Sequence, residues 1–276
     1  MPRSSAKLRS VETLREKTVR LSDGAMTTVQ QWGERGPLVV GVHGVGGSRR
    51  GWTRLAEYLA PRLRFAAYDQ RGHGDTSANA PMTLARSVAD LRDVVVSLGE
   101  PVHALIGHSW GGAVVVVAGR ELDVARVVAL DPMLRLAEGL WSANVLTEYR
   151  RLSAQTPADR EAAIRTSYAA LPQVELDAKL HATRRWRLGA LVAIGTDNRI
   201  DDGDWDLHPL IRDYPKPLLL ALADPKRSAL LEEERDEIRA AGCANVRIEV
   251  FPGASHSLQR DAFERVAPVL EAFLSA

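Results

Sequence analysis

The chain has 276 residues, 45% hydrophobic and 26% charged, with 36 basic against 35 acidic side chains and a net charge of +1. A chain of this size buries roughly 70–75% of its unfolded surface, enough for one large α/β domain without covalent staples, and the charge balance gives no electrostatic pull toward nucleic acid or an anionic membrane. The single cysteine, Cys243, excludes a disulfide within the chain and points to a reducing compartment.

The amino-terminal segment is polar and basic and lacks the apolar stretch of a secretory signal. No run reaches the ~18 apolar residues of a membrane span, so the expectation is a soluble, cytoplasmic protein. The first predicted strands, 18–21 and 27–32, flank the turn Ser22-Asp23-Gly24-Ala25 as a hairpin. A short apolar run at 38–43 follows, of the kind buried on both faces of a parallel sheet. A helix over about 52–61 then precedes a strand at 65–68. Residues 83–98 have helical spacing, with Leu84, Val88, Leu91, Val95 and Leu98 on one stripe. A strand at 102–106, a helix from Trp110 to about Glu121 and a strand at 127–130 continue the alternation.

From 133 to 209 the alternation stops. The segment reads as helical and carries Trp141, Tyr149, Tyr168, Trp186 and Trp205. The rhythm resumes with a strand at 218–222, a helix at 229–240, a strand at 246–251 and a final helix at 261–274. Repeated βα units imply right-handed crossovers and a parallel sheet. Residues 1–132 and 210–276 are therefore expected to form one core, with 133–209 as a helical insert.

Gly107-His108-Ser109-Trp110-Gly111 is a G-x-S-x-G motif placed directly between a predicted strand and a predicted helix. That context suits a nucleophile elbow, where a serine on a sharp, strained turn exposes its hydroxyl. Side chains two residues to either side would collide across the turn, which calls for glycine at both places. His108 reads as a packed neighbour of the elbow. A second glycine-rich loop, His43-Gly44-Val45-Gly46-Gly47-Ser48, follows the strand at 38–43. Backbone N–H groups of such a loop can face an anion, and those of Val45 and Trp110, with Gly44 beside them, are the candidate oxyanion donors. A phosphate loop would need a Gly-Lys-Ser/Thr that is missing here.

These two motifs, with Tyr-Asp-Gln-Arg-Gly-His-Gly at 68–74 and Pro-Gly-Ala-Ser-His-Ser-Leu at 252–258, together resemble the α/β-hydrolase superfamily over nearly the whole chain. The resemblance implies an eight-stranded, mostly parallel sheet with helices on both faces. It also implies a helical cap between strands six and seven, and a triad in the order Ser, acid, His. His256 lies in the loop before the last helix, where it can reach Ser109 as general base. His73, His103, His181 and His208 lack that placement.

The acid departs from the family pattern. The usual position after strand seven falls on Lys226, with Asp224 two residues early. Asp131, at the end of strand six, is the other carboxylate, and the sequence leaves both open. Asp69 is expected to organise its loop with Arg71, and a metal reading of Asp69 and His73 lacks further ligands in a recognisable spacing. Trp110 and Trp52 are candidates for the pocket rim. Arg184, Arg185 and Arg187 suit either a solvated face or a substrate carboxylate. The run Asp201-Asp202-Gly203-Asp204 reads as an exposed loop, without the spacing of a calcium loop. Cys243 has no base near it in sequence and reads as a bystander.

The expected function is a serine hydrolase that needs no cofactor or metal and acts on a small or medium ester, lactone or thioester. The alternatives are the same triad in cofactor-free haloperoxidase, C–C hydrolase or acyltransferase chemistry, or a ligand-binding protein that has lost turnover. The expected partner is a small-molecule substrate, and nothing in the sequence signals an oligomeric state.

Overall fold

The computed structural model describes residues 15–77, 81–136, 143–198 and 205–276. The hairpin is present as β1 (Arg15–Arg20) and β2 (Met26–Trp32), closed by a turn in which Gly24 has φ 88°. Next come β3 (Leu38–Val42), a 3₁₀ turn at Arg49–Trp52, α1 (Thr53–Leu59) and β4 (Arg64–Tyr68). The helix α2 (Leu84–Leu98) starts at Thr83, whose hydroxyl accepts from the Arg86 N–H, and stops at Gly99 with φ 72°. Then follow β5 (Val102–His108), α3 (Trp110–Glu121) and β6 (Arg126–Leu130).

Four helices occupy the stretch after β6: α4 (Ala143–Ser153), α5 (Pro157–Ser167), α6 (Gln173–Arg184) and α7 (Leu188–Asp197). The short α8 (His208–Arg212) returns the chain to β7 (Leu218–Leu222), α9 (Glu232–Ala241) and β8 (Val246–Val250). The last helical stretch is broken in two, α10 (Leu258–Asp261) and α11 (Phe263–Ser275). Trp141 and the acidic run 201–204 lie outside the described residues, as does the side chain of Trp205.

The sheet has eight strands in the order β1-β2-β4-β3-β5-β6-β7-β8. Only β2 runs against its neighbours; every other pairing is parallel. This is the α/β architecture that the resemblance implied. The period-2 geometry of strands sends alternate residues to two separate cores. Val40, Val42, Leu105, Leu218, Leu220 and Leu222 face the layer of α2, α3 and α9. Val39, Ile106, Leu219 and Ala221 face the layer of α1 and α11, with Trp52 and Phe65. Burial on both faces holds the middle strands rigidly, so that their carboxyl ends form a fixed platform for the loops. Among the described residues no helix is long and apolar enough to cross a membrane.

Candidate active site

Ser109 is the last residue before α3 and has φ 55° and ψ −116°, a left-handed backbone that a non-glycine side chain rarely adopts. The two flanking glycines are needed for different reasons. A Cβ on Gly107 would lie 2.0 Å from the carbonyl oxygen of Gly111, across the turn as expected. A Cβ on Gly111 would instead lie 2.1 Å from the Val42 oxygen of the adjacent strand β3. The elbow is thus packed against β3 as well as upon itself. Ser109 is also tied into the sheet: its N–H donates to Leu130 O at 3.0 Å and its carbonyl accepts from Met133 N at 3.1 Å.

His256 and Asp131 are in direct contact, Nδ1 to Oδ2 at 2.6 Å. Asp131 is fully buried, has φ 41°, and closes β6. It also accepts from Ala223 N at 3.0 Å, Ser228 Oγ at 2.5 Å and Ala229 N at 2.7 Å. Burial pushes its pKa up, but the hydrogen bonds and charge from His256, Ser228 and Ala229 more than offset this and hold it below the ordinary carboxylate value. Because the carboxylate accepts, the bond network puts the imidazole proton on Nδ1 and leaves Nε2 as the basic nitrogen.

Asp224, the other carboxylate left open by the sequence, does not bond to the ring. It accepts from Gly253 N at 2.7 Å and Lys226 N at 3.0 Å, while its own N–H donates to Ala254 O at 3.1 Å. These backbone bonds hold its pKa low and fasten the loop that carries His256 to the end of β7. His108 positions the same loop: its Nε2 bonds to His256 O at 2.8 Å, and the two rings lie 4.8 Å apart. Burial, with the neighbouring His256, lowers the His108 pKa to about 3, so it is neutral. Ser228 and Ala229 carried no signal in the sequence, because their role depends on a turn that brings them back over β6.

The glycine loop is held by its own first residue. His43 Nε2 accepts from Gln70 N at 3.0 Å, so Nδ1 donates to Gly44 O at 2.8 Å. Gly47 N adds a second bond to that oxygen at 3.1 Å. In a trans peptide the carbonyl and the following N–H point opposite ways, so these two bonds aim the Val45 N–H away from His43. Burial lowers the His43 pKa to about 4 and keeps it neutral. Gly44 itself lies against the elbow, where a Cβ would come within 3.0 Å of Ser109 Cβ. Above the loop, Tyr149 Oη donates to Val45 O at 3.2 Å and Trp186 Nε1 to Gly46 O at 2.9 Å. The two rings meet edge to face at 4.8 Å.

Several expectations are corrected. Trp110 is 1% exposed and packs in the core instead of at a rim. Trp52 is also buried, against Phe65, although it still borders the cavity beside the glycine loop. Asp69 pairs with Arg49 and not with Arg71, whose guanidinium binds Asp90 and Asp23. His73 meets the His43 ring, not a ligand set. Asp69, Asp75 and His181 do come within 4.8 Å of one another. The Arg49 guanidinium bonds to both carboxylates there, which supplies the positive charge a metal would bring. Arg184 pairs with Glu161, Arg185 with Asp75, and Arg187 with the carbonyls of Gly74 and Thr76.

A model of the alpha/beta hydrolase family matches residues 39–269. Lipase LipV of Mycobacterium tuberculosis is 40% identical over 111 residues, 39% of this chain. The match spans 42% of that lipase, less than half of its length. The solved structure of E-2-(acetamidomethylene)succinate hydrolase superposes with a TM-score of 0.79 at 21% identity, covering 96% of this chain and 100% of that one. The esterase RhEst1 from Rhodococcus sp. ECU1013 superposes with a TM-score of 0.74 at 19% identity, covering 96% and 99%. At such identities the likeness is one of fold.

Proposed function

The chain belongs to the alpha/beta hydrolase family, and from that premise we propose that it is a serine hydrolase cleaving a small or medium carboxylic ester, lactone or thioester through an acyl-enzyme on Ser109. His256 Nε2 takes the Ser109 proton as Oγ attacks the carbonyl carbon. Negative charge gathers on the carbonyl oxygen, where the amides of Val45 and Trp110 and the amino end of α3 stabilise it. The bond to the leaving oxygen or sulfur breaks, and the imidazolium returns the proton to that atom. Water then adds to the acyl-enzyme with His256 again as base, releasing the acid and restoring Ser109. Asp131 keeps the imidazole in the required tautomer and stabilises its charged form.

The observation that carries this reading is the 2.6 Å contact of His256 with Asp131, together with a serine held in a strained elbow. The non-catalytic reading drew on Lys226 standing where the acid usually does; the Asp131 carboxylate bonded to His256 speaks for the catalytic reading. A fluorophosphonate probe should add its mass to Ser109, and Ser109→Ala should abolish both labelling and p-nitrophenyl ester turnover. An unlabelled wild-type protein would remove the proposal.

A further inference from the structure

We propose that Lys179 binds a carboxylate on the substrate, so that the esters or thioesters this site favours are hemiesters of short dicarboxylic acids. The inference rests on the serine hydrolase reading and names the substrate class of the same site. Lys179 lies on α6 and is shared by two cavities. One, of about 110 Å³, runs between the glycine loop, His108 and α6, and has Gly44, Val45, Lys179 and Arg260 in its wall. The other, of about 430 Å³, is walled by Tyr149, Tyr168 and Trp186. Gly44 backs onto Ser109. A substrate with its scissile carbonyl at Ser109 therefore extends along the first cavity toward the ammonium.

Three features suit that ammonium to an anion. Its Nζ lies 5.4 Å from the ring centroids of both Tyr168 and Trp186, which fix its place without neutralising it. Among the described residues it has no carboxylate within salt-bridge distance. Glu175, one turn earlier on the same helix, faces the same cavity but does not pair with it, and burial raises the Glu175 pKa to about 7. The three arginines that follow on the chain are already engaged with Glu161, Asp75 and loop carbonyls. Arg260 stacks on Tyr168 at 5.1 Å and, among the described residues, forms a salt bridge only with its neighbour Asp261, so it adds a second positive charge to the wall. Burial, with Arg260 nearby, lowers the Lys179 pKa to about 8; an incoming carboxylate would reverse that shift. An anion held among aromatic walls is screened less than one in water, and its bond to a charged donor is correspondingly stronger.

The test compares mono-4-nitrophenyl glutarate with 4-nitrophenyl valerate, which have acyl chains of equal length and differ in the terminal carboxylate. The wild-type protein should favour the hemiester in kcat/KM. Lys179→Met should reduce that preference about tenfold or more, chiefly through KM, as expected for loss of one charge-assisted bond. Lys179→Arg should retain most of it. A wild-type protein without the preference, or a preference unmoved in Lys179→Met, would overturn the proposal. Calorimetric binding of monomethyl glutarate to Ser109→Ala protein tests it without turnover: adding Lys179→Met should weaken binding by a similar factor, and equal binding would also overturn it. Fluorophosphonate labelling separates the two failures, because a labelled Ser109 with a flat preference removes only the carboxylate.

Discussion

Asp131 combines a left-handed backbone, complete burial and four hydrogen-bond donors. That combination is expensive to assemble unless each donor is used, since an unpaired buried carboxylate is strongly disfavoured. In the proposed mechanism, its replacement by asparagine removes the charge that stabilises the imidazolium and permits the wrong tautomer. Asp131→Asn should therefore lower kcat by about 10³–10⁴-fold on a p-nitrophenyl ester. Asp224→Asn should leave kcat close to that of the wild type and lower the thermal midpoint slightly, because Asp224 bonds to backbone N–H groups and not to the ring. Equal losses of kcat in both variants would contradict this assignment. The sequence offered the two aspartates on nearly equal terms. What separates them is the turn after β7, which places Ser228 and Ala229 on Asp131, and no local pattern encodes that return.

At the scale of elements, the strands were legible because their apolar runs and punctuating glycines are local signals. The elbow was legible because strand, motif and helix follow one another without a gap. The reason for Gly111 was not, since the atom it avoids belongs to β3, more than sixty residues earlier in the chain. The hold on the glycine loop was equally hidden: Tyr149 and Trp186 come from α4 and from just beyond α6, and their bonds to Val45 O and Gly46 O exist only once those helices are in place. Trp186→Phe keeps the ring contact with Tyr149 but deletes the donor to Gly46. The loop should then lose part of its fixed orientation, and kcat should fall roughly three- to tenfold, the range expected for one modest hydrogen bond. KM for a neutral ester should change less than kcat, and steady-state kinetics on the variant would check both.

For the whole molecule, repeated βα units pointed to a parallel sheet, and the resemblance carried by the motifs in their order implied its eight strands. The cavity beside the glycine loop was not readable, because it forms where α6 meets a loop some 130 residues away. Glu175 borders the same cavity and is buried, with Arg260, Arg54 and Asp261 as its charged surroundings. Burial raises its pKa from 4.5 to about 7, so the folded state keeps a proton that the unfolded chain gives up earlier. Stability should therefore decline as pH climbs between about 4.5 and 7 and level off above. Glu175→Gln should remove this part of the pH dependence, and thermal melts at pH 5 and pH 8 would draw closer together than in the wild type. In the sheet, His108 pairs with Leu130, so the serine and the acid that follow them sit on adjoining strands, stitched by Ser109 N to Leu130 O and Asp131 N to Ala221 O. Two of the three groups of the proposed triad are thus fixed to one stiff frame. Only the imidazole travels on a surface loop, so warming would detune the trio at that single partner well before the frame itself gave way.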